Sequence, residues 1–199
     1  MTEKIKISRS GAFLIVAGIL WASLLMVGFS LLEREEFTPV KNVPVAADFP
    51  SYSTIPLALD KPTLLLFLHP YCPCSRSSLH ELDGLLAETQ NKVSTIIVFT
   101  IPSGIEPGWK QSDLWKSAMA MHGVRVLCDQ GGVEARRFGV KGSGHALLYD
   151  PSGKLLFSGG ITPSRGHEGD NSGRAAIISF VLDGHALVNQ TPVFGCSLL

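Results

Sequence analysis

The chain has 199 residues, with 17 Lys+Arg against 17 Asp+Glu, 45% hydrophobic residues, four Cys and a mean hydropathy of +0.24. A balanced charge without a Lys/Arg-rich run argues against a nucleic-acid partner, because phosphate binding needs a concentrated positive field. The composition excludes a disordered or collagenous chain, and the length allows about one domain plus an additional segment.

Residues 1–10 carry Lys4, Lys6 and Arg9 and lead into Gly11–Leu32, a stretch without a charge. A helix rising about 1.5 Å per residue needs roughly 20 apolar residues to cross the hydrocarbon core, so this stretch is long enough to span. The basic residues ahead of it, and the acidic run Glu33, Arg34, Glu35, Glu36 behind it, predict a cytoplasmic N-terminus and a domain on the outer, periplasmic side of an inner membrane. A cleaved signal peptide ends in a small-x-small site. Ala22-Ser23 stands too early for one and Val27–Ser30 fits poorly, so the expectation is a single-pass, uncleaved anchor at 11–32. All four Cys (72, 74, 128 and 196) follow it, on the side where disulfides persist if the cell is bacterial.

Residues 33–60 hold Pro39, Pro44, Pro50 and Pro56 with little periodicity and read as a linker and lead-in. Thr63–Leu68 is an apolar run of the buried-strand type. A helix over 75–88 follows, with Leu79, Leu82, Leu85 and Leu86 on one face, then a second buried strand over 93–100. Pro102–Gly108 reads as a loop, 113–121 as a helix, 124–128 as a third buried strand and 131–138 as a short helix. Ala146–Tyr149 and Lys154–Ser158 form a hairpin across the turn Asp150-Pro151-Ser152-Gly153. A last helix over 173–182 is capped by Asp170, Asn171 or Ser172. Strands separated by helices and closed by a hairpin predict a three-layer α/β/α sandwich with a mixed sheet over 61–185, followed by a tail at 186–199.

The most informative stretch is Phe67-Leu68-His69-Pro70-Tyr71-Cys72-Pro73-Cys74-Ser75-Arg76, between a buried strand and an amphipathic helix. A Cys at a helix N-terminus meets unpaired backbone N–H groups and the positive end of the macrodipole, which favour the thiolate, the form that attacks disulfides and binds soft metals. On these residues the chain resembles the thioredoxin superfamily, in particular its membrane-anchored bacterial branch of the TlpA and cytochrome c maturation kind. Tyr71 stands at the family's aromatic position, Cys72 at the nucleophile, Arg76 after the motif and Leu79 in the helix. Phe138-Gly139-Val140-Lys141-Gly142, followed by Ala146–Asp150 and Gly153, is similar to the family's second signature. The Gly160–His167 and Phe194-Gly195-Cys196 ends also resemble a bacterial thioredoxin-like group labelled RedB.

Two departures bear on chemistry. The family's second Cys falls on Ser75, with Cys74 one residue earlier, and a Cys72–Cys74 disulfide would need a distorted turn because residues two apart do not face each other on a helix. Gly144-His145 stands where the resemblance implies a cis-proline, which leaves His145 beside the thiols. The resemblance also brings the loop after the hairpin, with Arg165 and His167, to the thiol end.

The expected activity is that of a thiol–disulfide oxidoreductase acting on protein thiols and disulfides, without an organic cofactor and with a membrane-borne electron donor as a candidate partner. Cys72 would be the nucleophile and Cys74 the resolving thiol, with Cys196 a second resolving candidate or the staple of the tail. His69, Tyr71, Ser75, Arg76, Gly144, His145, Arg165 and His167 are candidates for tuning the thiols or contacting substrate. Arg165, Asp170 and Arg174 have the competing reading of bracing the last helix. Cys128 is expected to be an inert core thiol, His80, His122 and His185 surface residues, and Trp109 and Trp115 packing residues. One alternative is a copper-delivery protein of the Sco type, with Cys72, Cys74 and His167 or His145 as ligands. Another is a binding module without turnover.

Overall fold

A computed structural model describes residues 9–41, 44–104 and 107–199. It divides into two units, Met1–Thr38 and Pro39–Leu199. The first unit is helix α1 (Arg9–Glu36), unbroken because its sequence lacks Pro and keeps Gly to isolated positions. Within it Phe13–Glu36, 24 residues that include an 18-residue window of mean hydropathy 2.3, is long and apolar enough to cross a membrane. Lys4 and Lys6, on which the orientation argument partly rests, lie outside the described residues.

The second unit runs β1 (Thr63–Leu68), α2 (Cys74–Thr89), β2 (Ser94–Ile101), a 3-10 turn at Pro107–Gln111, α3 (Asp113–Ala120), β3 (Val124–Gln130), α4 (Val133–Phe138), β4 (His145–Tyr149), β5 (Leu155–Gly160) and α5 (Ser172–Asp183). Part of the expected 102–108 loop, residues 105–106, lies outside the described residues. The five strands form one mixed sheet in the order β3-β2-β1-β4-β5, with β1, β2 and β3 parallel and β4 antiparallel to both β1 and β5.

Alternation along the strands sorts the core into two layers. Leu64, Leu66, Leu68, Ile97, Phe99, Ala146, Leu148 and Phe157 meet Leu79, Leu82 and Leu85 of α2, Leu114 and Ala118 of α3, and Ala176 and Ile177 of α5. The intervening residues Leu65, Phe67, Ile96, Val98, Leu147 and Tyr149 meet Ala135 and Phe138 of α4 on the opposite face. Helices therefore cover both faces of the sheet, and β1, buried along its whole length, lies at its centre.

Three segments differ from expectation. The lead-in after Pro44 is integrated into the fold: Ala46 N–H donates to Phe138 O, Phe49 N–H to Gly153 O and Leu155 N–H to Ala47 O, while Ile55 is buried. The tail is integrated too, with Val193 and Leu198 buried and Gly160 N–H donating to Pro192 O. The third strand is a sheet edge rather than a buried strand. Cys128 is accordingly exposed, correcting its assignment to the core, and partial burial raises its thiol pKa with Lys110 opposing and Asp129 adding to the shift.

Candidate functional site

The site grows from the turn that carries the chain out of β1. Cys72 N–H donates to His69 O at 3.2 Å, Ser75 N–H to Cys72 O at 3.0 Å and Arg76 N–H to Pro73 O at 3.1 Å, so tight local bonds lead into α2. Pro73 is the residue ahead of the helix. Its ring fixes φ near the helical value, and it has no N–H to leave unpaired. Cys72 is thereby held just before the helix, 1% exposed, and Cys74 is its half-buried first residue.

Ser75, at the position of the expected second family Cys, is fully buried and works as a clasp. Its hydroxyl meets Ser143 Oγ at 2.7 Å and donates to His69 O at 3.2 Å, and Ser143 Oγ accepts from His69 N–H at 2.9 Å. Gly144 N–H donates to Phe67 O at 2.8 Å, tying the segment ahead of β4 to the end of β1. Gly144 adopts φ +86°, which proline cannot reach, and a Cβ there would stand 2.8 Å from Ser78 Oγ. Every peptide bond among the described residues is trans.

Against this segment lies the tail. Ser143 N–H donates to Cys196 O at 2.8 Å, Leu198 N–H donates to Lys141 O at 2.8 Å, and Gly142 pairs with Ser197 in an antiparallel bridge. Approach this close requires Gly195, whose Cβ would lie 1.9 Å from Ser143 O. The consequence is a disulfide between Cys72 and Cys196, Cα atoms 6.0 Å apart and 124 residues apart in the chain. Cys74 is unbridged, yet the sulfurs of Cys72, Cys74 and Cys196 all lie within 4.8 Å of one another.

A central parallel strand, an antiparallel strand beside it and a cysteine at the start of the helix between β1 and β2 complete the pattern. The fold is thioredoxin-like. This thioredoxin-like chain is similar to the crystal structure of a hypothetical protein from Sinorhizobium meliloti, with TM-score 0.62, 17% identity, 81% of this chain and 97% of the other. It is also similar to an uncharacterized conserved protein from Geobacillus kaustophilus, with TM-score 0.60, 20% identity and coverage of 81% and 92%. The solution structure of a thioredoxin-like protein in its oxidized form aligns with TM-score 0.49 and 14% identity over 74% of this chain and 97% of the other. No protein-family model matches the chain, and no curated protein matches it.

The other candidates divide between two regions. His69 and Tyr71 belong to the turn: His69 Nδ1 accepts from Tyr71 N–H at 3.2 Å, which puts the ring proton on Nε2, and burial lowers the His69 pKa. Tyr71 and Arg76 are exposed, and Arg76 lines a groove of about 600 Å³ between α2 and α3 with Leu79, His80 and His122.

His145 lies elsewhere than expected. Its place in β4 has the parity of Leu147 and Tyr149, so its ring faces the α4 side of the sheet, where Nε2 meets Ser158 Oγ at 2.8 Å. Burial drives its pKa down to about 4. Loss of the proline thus does not leave His145 beside the sulfurs, because strand alternation turns it away.

The loop between β5 and α5 packs along the flank of α2. His167 is exposed with Nδ1 2.9 Å from Arg165 O, Glu168 meets His80 at 3.2 Å, and among the described residues no imidazole joins the three sulfurs. Asn171 caps α5 by accepting from Arg174 N–H. Arg174 bridges Glu81, at 3.1 Å, to Glu88, and therefore braces α2 against α5.

Two contributors escaped the sequence reading. Glu81, 2% exposed on α2, accepts from Gly169 N–H at 2.6 Å as well as from Arg174 and shapes the loop. Ser143 clasps the cysteine turn. For Glu81 a signal existed, since Ser77, Ser78 and Glu81 form a polar stripe on a helix whose other buried residues are mainly apolar. Ser143, a lone serine between glycines, carried none.

Proposed function

We propose that the protein is a membrane-tethered, extracytoplasmic thiol–disulfide oxidoreductase whose redox couple is Cys72–Cys196, with Cys74 as a third exchanging thiol. The observation carrying this reading is the disulfide at the N-terminus of α2 with a free sulfur within 4.8 Å. The apolar helix α1, with the four Cys all following it, supports the tether and the compartment.

Access decides the order of steps. Cys196 is half-buried while Cys72 is almost sealed, so a partner thiolate attacks Cys196 Sγ, forms a mixed disulfide with it and expels Cys72 as a thiolate. The N-terminus of α2 stabilises that leaving group. A second thiolate, from the partner, then attacks the partner's own sulfur in the mixed disulfide. The partner leaves oxidised, two electrons richer is the Cys72–Cys196 pair, and Cys196 departs as a thiolate. Run in reverse, the same steps reduce a partner disulfide. Cys74 can intercept the mixed disulfide at Cys196 and return the partner when its second thiol is out of reach.

The backbone bonds of the tail keep Cys196 beside Cys72 when the bridge opens, which makes the couple reversible. A membrane-borne donor or acceptor would reset it. The test is exchange with a model protein disulfide, measured in the intact protein and in single Cys→Ser variants. Cys72→Ser and Cys196→Ser are expected to abolish two-electron exchange and Cys128→Ser to leave it unchanged. An inactive intact protein, or full activity in Cys72→Ser, would overturn the reading.

A further inference from the structure

We propose that the protein, once a dithiol has reduced the Cys72–Cys196 bridge to two thiols and left as a disulfide, holds one thiophilic d10 cation, Cu(I), between the sulfurs of Cys72, Cys74 and Cys196. The site uses the sulfurs of the redox couple but requires only that the bridge can be opened, not that the protein turns over a partner.

Distance is the first argument. Thiolate bonds to a d10 ion are about 2.3 Å, so three sulfurs around one ion in a plane stand about 4 Å from one another. The three here are already within 4.8 Å, before any adjustment. Reduction lets Cys72 and Cys196 part from bonding distance towards that spacing, and Cys74 has less than an ångström to close. The positions survive reduction because other bonds fix them: Cys72 by the β1–α2 turn, and Cys196 by the bonds from Ser143 N–H to Cys196 O and from Leu198 N–H to Lys141 O.

Donor chemistry then selects the ion. The cluster is all sulfur, and among the described residues no imidazole or carboxylate joins it. Hard cations are excluded by the lack of oxygen donors, and Zn(II) prefers four ligands, commonly with nitrogen among them. Three thiolates without a fourth donor suit Cu(I). One buried and two half-buried sulfurs shield the ion while leaving a side open for delivery. The charge balances as three thiols and one Cu(I) giving a dianionic tris-thiolate and three released protons, and the positive end of α2 offsets part of that charge.

The third ligand is therefore Cys196 from the tail, in place of the His167 that the sequence suggested. Oxidation and metal loading exclude each other, because the bridge consumes two of the three donors.

The experiment uses full-length protein in detergent, reduced, desalted without oxygen and titrated with Cu(I) against a chromophoric chelator, followed by X-ray absorption at the copper edge. One Cu(I) per chain with three sulfur neighbours is expected, and no high-affinity copper on the oxidised protein. Cys74→Ser and Cys196→Ser should each weaken binding beyond the about 10- to 100-fold cost of losing an outer partner and lower the sulfur count to two, while Cys128→Ser changes neither. Cys74→Ser leaves Cys196 and the backbone bonds of the tail in place, so its loss of binding cannot be ascribed to an undocked tail. Tighter Zn(II) than Cu(I) binding, a two-sulfur site indifferent to Cys74 or Cys196, or equal loading of the oxidised protein would overturn the proposal. Failure of copper binding with intact disulfide exchange rejects this site alone. Copper binding without exchange rejects the redox reading alone.

Discussion

Serine at position 75 changes what the cysteine turn is made of. Its hydroxyl occupies a fully buried position and shares Ser143 with the His69 amide, so two hydroxyls close the turn from within. Ser143→Ala leaves His69 N–H without its acceptor, and a lost buried hydrogen bond costs about 1–3 kcal/mol. That loss should appear as a lower urea midpoint with an unchanged slope. His145 supplies a pH test. Its folded pKa, about 4, lies below the ordinary 6.5, so the unfolded chain takes up the proton first and stability falls as pH drops between those values. The full drop is about 3 kcal/mol, and it is complete near pH 4. His69, also lowered by burial, acts with the same sign. His145→Gln should flatten the stability profile across that window, measured by denaturant melts at several pH values; an unchanged profile would refute the assignment.

At the scale of elements, α2 is held from two sides, by the tail at its N-terminus and by α5 along its flank. The tail depends on Gly195, where a methyl group would collide with Ser143 O. Gly195→Ala should therefore push the tail outward, cost about 1–3 kcal/mol and raise the fraction of free Cys196 thiol found by alkylation mapping. The flank depends on Glu81 and Arg174. Glu81→Ala strips the buried partner from Arg174 and removes the acceptor of Gly169 N–H, with an expected loss of about 2–3 kcal/mol, discounted because Arg174 is partly exposed. Faster proteolysis within 160–174 should accompany it.

For the molecule as a whole, the Cys72–Cys196 bridge, with a sequence separation of 124, closes a loop over most of the second unit. Restricting so long a loop in the unfolded chain is worth about 5 kcal/mol, so Cys196→Ser, or reduction of the natural protein, should lower unfolding free energy by that order. The helix α1 makes a separate prediction: the full chain should stay with membranes through an alkaline wash, and a chain lacking residues 1–38 should be released.

Much of this architecture was legible along the chain. The apolar span, the strand Thr63–Leu68, the helix periodicity of 79, 82, 85 and 86, and the turn at Asp150–Gly153 are local signals, because burial and turn geometry act on neighbouring residues. The nearness of Cys72 to a helix N-terminus was equally local. The edge position of β3, and hence the exposure of Cys128, depends on strand order, which no single strand encodes. The opposite facing of His145 depends on its register beside Phe67. Sequence alone determined that a cysteine would stand at the mouth of a helix that follows a buried strand, since a strand, a proline and an amphipathic run suffice for that. Only the tertiary structure decided which sulfur answers it: Cys196 arrives from 124 residues away, held by backbone bonds to a segment between two other elements, and contacts of that range leave no periodic trace in a sequence.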